Sequence, residues 1–163
     1  MAGGPIFPFS AYPTSSRAFA NVHVGAGANS KHEEGMGVAA SIASDTVWRL
    51  RFPMPPALPT GTAKLRLVGL AAAPAASKDA KVNPKWASVA AGEDPSSATL
   101  TAEGTTTITW ATTDGDKYKE AKIVLDADTI VAGEIVAMDL VFEATGWTLD
   151  KVSTWQASAI WES

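Results

Sequence analysis

The chain has 163 residues, a formal net charge of −4 and no cysteine, which excludes a disulfide framework, a thiolate nucleophile and a cysteine-ligated zinc site. Hydrophobic residues make up 46% of it and charged residues 18%, too apolar for a disordered chain; with no local cluster of Lys and Arg, the balance argues against a nucleic-acid partner. So low a charge also predicts an exterior of small and apolar residues, of the kind that sister subunits cover.

Residues 1–45 stand apart from the rest. Pro5, Pro8 and Pro13, then Gly25, Gly27, Gly35 and Gly37, rule out a long helix. Ile6, Phe7, Phe9, Tyr12 and Phe19 are nevertheless too apolar for a solvated tail. The segment is therefore expected to lie as an extended arm on its own domain or on a neighbour, and its first third alone reaches on the order of 50 Å. Weak alternation at 18–24 and 38–43 predicts one or two short strands inside it. Neither the basic region and apolar run of a secretory signal nor a run of about 18 apolar residues occurs, so the expectation is a chain made in a cytosol with no membrane partner.

From Thr46 the period-two signal is clear. Trp48, Leu50 and Phe52 alternate with Val47, Arg49 and Arg51, and Pro53, Pro55, Pro56, Pro59 and Gly61 end the strand. The next strand is 63–70, with Leu65 and Leu67 set against Lys64 and Arg66, and AAAPAASKDA reads as a surface loop. Further strands are predicted at 81–91, 98–101, 105–112, 119–125, 134–142 and 154–161, with turns at GEDPSS and DGDKY and room for one helical turn at 148–153. About eight strands with turns at this spacing, without a repeat or βαβ alternation, predict an all-β fold. The architecture expected is an antiparallel two-sheet sandwich, jelly-roll-like, over 46–163, preceded by the arm at 1–45.

Two strands say more than their existence. In 134–142, Val136, Met138, Leu140 and Phe142 share one face, but the other face, Ile135, Ala137, Asp139 and Val141, is largely apolar too, which implies a second covering layer. In the last strand Trp155, Ala157, Ala159 and Trp161 share a face that must pack on something broad: a sheet, a subunit interface or, if exposed, a ligand. Trp155, Trp161, Ile135 and Val141 are thus the candidate interface or platform residues.

Candidate chemistry is sparse. His23 and His32 both fall in the loose N-terminal region, and the run His32, Glu33, Glu34 matches no metal-site spacing; a solvated loop is expected there. Glu93 with Asp94, Asp114 with Asp116 and Asp126 with Asp128 sit in turn-like segments, where carboxylates satisfy backbone N–H groups. No pair is placed for glycosidase work, and the loop at Asp114 offers too few oxygens for Ca²⁺. No cofactor, metal or enzymatic activity is expected.

The stretches VWRLRFPMPPALPTGTAKLRL, NPKWASVAAGEDPSS and STWQASAIWES resemble tailed-bacteriophage virion proteins of the capsid decoration, head-stabilising kind. That resemblance implies a small β protein on the outer capsid surface, made in the host cytoplasm, with the major capsid protein and its own copies, as a trimer, for partners. It also implies that the arm at 1–12 is the latch, anchored by Phe7, Phe9 and Tyr12. The alternative expectation is a carbohydrate- or receptor-binding module of a phage tail or head, which would expose a Trp row.

Overall fold

A computed structural model of the chain describes residues 41–162, apart from 72, 73, 115, 116, 151 and 152, together with four strand segments nearer the N-terminus. Among the described residues there are twelve strands: β1 (Ser10–Pro13), β2 (Val22–Val24), β3 (Lys31–Glu33), β4 (Met36–Val38), β5 (Thr46–Pro53), β6 (Thr62–Ala71), β7 (Lys78–Val89), β8 (Thr101–Ala102), β9 (Thr106–Trp110), β10 (Tyr118–Val124), β11 (Ile135–Phe142) and β12 (Ser153–Glu162). Among the described residues there is no helix. The single turn expected at 148–153 is irregular from 148 to 150, while 151 and 152 lie outside the described residues.

Ten of the strands form two antiparallel sheets packed face to face, while β2 and β3 pair only with each other, and the all-β sandwich expected from the sequence is what the chain adopts. The larger sheet runs β1-β5-β11-β7, with β8 and β9 one after the other along the far edge of β7; the smaller runs β10-β6-β12-β4. If β4, β5, β6, β7, β9, β10, β11 and β12 are numbered one to eight, the smaller sheet reads 1-8-3-6 and the larger reads 2-7-4-5. That interlocking is the double Greek key of a jelly roll. Its first strand is β4, so the eight-strand jelly roll takes in Met36–Val38, inside the stretch expected to be arm. The reason is backbone pairing: Met36, Gly37 and Val38 add to Trp155, Thr154 and Ser153 of β12, and Val38 enters the core at 1% exposure. The strand expected at 38–43 is displaced accordingly, and Ser41 to Ser44 is irregular.

Period-two alternation sets which faces meet. Trp48, Leu50 and Phe52 of β5, Val136, Met138, Leu140 and Phe142 of β11, and Val82 and Trp86 of β7 point in from the larger sheet. Leu65 and Leu67 of β6, Ile123 of β10, and Trp155, Ala157, Ala159 and Trp161 of β12 point in from the smaller one. Large rings at one end are accommodated by a glycine. A Cβ on Gly69 would lie 2.7 Å from Trp155 and 3.0 Å from Trp110, so only a bare backbone lets both indoles cross β6 there. Around that crossing Trp110 meets Trp155 edge-on at 5.6 Å, Phe142 meets Trp48 at 5.2 Å and Trp155 at 5.3 Å, and Trp147 caps Phe142 at 5.9 Å. Edge-on pairs of this kind add ~0.5–1.5 kcal/mol each beyond the area they bury.

β7 begins at Lys78, three residues before the strand expected at 81, because its first five residues pair with β9. A carboxylate fastens the far end of the same strand. Glu103 Oε1 accepts from the Trp86 indole N–H at 2.5 Å and from the backbone N–H groups of Asp126 and Ala127 at 2.8 and 3.0 Å. One side chain thus joins the core, the end of β8 and the turn after β10.

Candidate functional site

The six tryptophans provide no platform. Trp48, Trp86, Trp110, Trp155 and Trp161 are all buried, and Trp147 is half-buried against the core. The expectation of a ligand-facing or subunit-facing pair at Trp155 and Trp161 is corrected accordingly: both rings face the opposite sheet. The broad surface they needed is the inner face of the larger sheet. Within the smaller sheet β6 places Leu65, Leu67 and Gly69 opposite Ala159, Ala157 and Trp155, large side chains against small ones.

Ile135 and Val141 both lie on the outer face of β11. Ile135 is 39% exposed, at the end of the strand beside Val89 and Pro53, whereas Val141 is buried between Val47 and Asn83. No second layer of strands is needed to account for the apolar outer side of β11. This strand is central, flanked along its whole length by β5 and β7, and the ion pair of Arg49 with Asp139 at 3.1 Å spans that face.

Of the arm residues, Ile6, Phe7, Phe9 and Phe19 lie outside the described residues. Tyr12 is in β1, at the register position of Arg49, and β1 as a whole pairs antiparallel with Trp48 to Arg51 on the open edge of β5. His32, expected in a solvated loop, instead lies in β3 and shares a register position with His23 of β2, which falls inside the stretch 18–24 expected to hold a short strand.

The acidic pairs do the work of turns. Glu93 accepts from the N–H of Ala90 at 3.2 Å, Asp94 from that of Ser96 at 2.8 Å, Asp114 from that of Ala111 at 2.9 Å, and Asp128 from that of Thr129 at 2.7 Å. Asp116 lies outside the described residues. The Ser96 hydrogen bonds hold the Asp94 carboxyl below the usual carboxylate range, and the hydrogen bond from Lys119, paired at 2.6 Å, does the same for Asp114. A general acid needs its pKa raised, so neither carboxyl is poised for that role. Among the described residues no group of three or more His, Asp or Glu side chains is placed to hold a metal ion.

Glu93, Asp94, Asp128, Ser97 and Thr99 surround a cleft of about 520 Å³ above Ala87 on the outer face of the larger sheet. It forms where the small side chain of Ala87, itself opposite Ala137, leaves the sheet low and the loop 90–100 rises beside it. Arg51, which follows in the same row of the sheet, has its pKa lowered first by burial and then by Arg49. The cleft is polar and shallow-floored, and among the described residues no aromatic ring lines it.

The outer face of the smaller sheet carries a ladder of alternating charge across three strands. Arg66 pairs with Glu120 at 2.7 Å, Glu120 with Lys122 at 3.6 Å, Lys122 with Glu162, and Glu162 with Lys64 at 3.0 Å. Such a network, half in solvent, fixes register and solubility more than stability.

No protein-family model matches the chain, and no curated protein matches it. Among solved structures the chain is similar to the family 11 carbohydrate-binding module from Clostridium thermocellum, determined in complex with a β-1,3-1,4-mixed-linked tetrasaccharide: 11% sequence identity and a TM-score of 0.47, over 100% of this chain and 98% of that one.

Proposed function

We propose that the protein is a non-enzymatic virion structural protein that decorates an assembled capsid lattice, held there by its N-terminal segment and by contacts between its own copies. The observation that carries this reading is the docking of β1. Ser10–Pro13 attaches to the sandwich as an added edge strand on β5, while the core it joins is built from Val38 onward. Edge-strand addition gives backbone hydrogen bonds without a rigid pocket, and repetition over a lattice turns modest contacts into firm attachment. A jelly roll suits a shell protein as well as a lectin, so the fold alone does not choose between them.

The carbohydrate- or receptor-binding alternative has only the cleft beside Asp94 in its favour, because the Trp row it called for is in the core. Deletion of residues 1–16 distinguishes the two. It removes β1 and leaves β4 and the core intact, so the truncated protein is expected to fold and to lose binding to undecorated capsids. If it bound capsids as tightly as the full chain, the latch would be elsewhere.

A further inference from the structure

Natural sheets protect their edges against stray pairing by keeping edge strands short, charged or proline-bearing. Three edges of this sandwich follow that rule. β1 is four residues long and ends in Pro13, and β10 carries Lys119, Glu120 and Lys122. β4 is three residues long, with the hairpin strand β2 beside the β12 that it joins.

The edge formed by β9, five residues long, has neither of the other two protections. Thr106–Trp110, TTITW, contains no charge, proline or glycine and consists of residues that favour strands. Thr107 and Thr109 are exposed, whereas Ile108 and Trp110 are buried in the core. Among the described residues β7 is the one strand hydrogen-bonded to β9; β10 lies near β9 without pairing with it, so the side facing away from β7 has no hydrogen-bonded strand. The single charge in the stretch from 101 to 110, Glu103, is turned inward onto Trp86 and residues 126 and 127.

We propose that this edge is a homodimer seam, in which the β9 strands of two copies pair antiparallel about a two-fold axis at Ile108 and join the two larger sheets. The occupant is argued from the strand's self-complementarity. Antiparallel pairing centred on Ile108 sets Thr107 opposite Thr109 of the second copy, a favourable cross-strand pair, and brings no like charges together. The inference is independent of the virion reading, since it uses only the edge.

Light scattering on the full chain across a concentration series tests it. The mass is expected to rise from one copy towards two as concentration increases. T107K/T109K sets lysines opposite lysines and is expected to remain monomeric, as is T107E/T109E, and an equimolar mixture of the two is expected to recover the dimer. Thr109 also donates to Asp79 at 2.6 Å, so circular dichroism accompanies each variant. Should the double variants unfold, the absence of native cysteine allows a second route: copies carrying T107C mixed with copies carrying T109C are expected to cross-link on mild oxidation more than either does alone. A wild-type chain monomeric at every concentration, an oligomer untouched by the folded charge variants, or a mixture that cross-links no better than its parts would overturn the seam.

Discussion

Gly69→Ala is the sharpest test of the core. The added methyl carbon would sit 2.7 and 2.9 Å from two ring atoms of Trp155 and 3.0 Å from one of Trp110, whereas carbon atoms pack best at roughly 3.5–4.0 Å. One or both indoles must therefore shift by about 1 Å. Neither moves easily: Trp155 is tied by its N–H to Ser153 Oγ at 2.8 Å and packs on Phe142 and Trp147, and Trp110 is fully buried against it. Overpacking of this kind costs ~1–3 kcal/mol, and the reduced freedom of the unfolded chain returns about 0.4–1 kcal/mol. A net loss of about 1–2 kcal/mol is expected, which for a chain of this size lowers Tm by roughly 2–8 °C. Thermal unfolding followed by near-ultraviolet circular dichroism reads both the stability and the displaced indoles. A variant as stable as the wild type, with an unchanged near-ultraviolet spectrum, would refute the reasoning.

Three further outcomes follow from named contacts. Glu103→Leu strands a buried indole N–H and two backbone N–H groups and is expected to cost about 2–4 kcal/mol in urea denaturation, with Glu103→Gln, which keeps an acceptor oxygen, losing less. In the charge ladder, the Arg66 hydrogen bond lowers the Glu120 pKa and the Lys122 hydrogen bond lowers that of Glu162. Carboxylates depressed in the folded state contribute stability that is present above their unfolded pKa of about 4.3 and is lost as pH falls through the folded value. E120Q/E162Q should therefore flatten the acid limb of a stability–pH curve while leaving its shape above pH ~6 unchanged. With five of the six indoles buried, acrylamide is expected to quench native fluorescence only weakly and glycans not to quench it at all; strong quenching in the folded state would restore the Trp platform.

Much of the sandwich was legible because its long strands alternate cleanly. Trp48, Leu50 and Phe52 named their own inner face, and the acidic turn residues behaved as turn chemistry predicts. What was hidden is non-local or too short to carry a period. β4 has three residues beside a Gly-rich stretch, and no pattern marks it as the first strand of a jelly roll. Periodicity placed Trp155 and Trp161 on one face but could not say whether that face met a sheet or solvent; the deciding partners, Gly69 and the inner residues of β5 and β11, are distant in sequence. The charge ladder and the Glu103 clamp likewise join residues from different strands and loops. The uncharged edge at β9 was visible as a threonine-rich run, but its position at the rim depends on which strands the crossovers bring beside β7.

The most direct test of the central proposal is quantitative mass spectrometry of purified virions, with the copy number of this chain measured against the major capsid protein. A lattice decoration protein is expected in proportion to the capsid protein, in the hundreds of copies per particle. Absence from the particle, or a handful of copies confined to a tail tip, would contradict it.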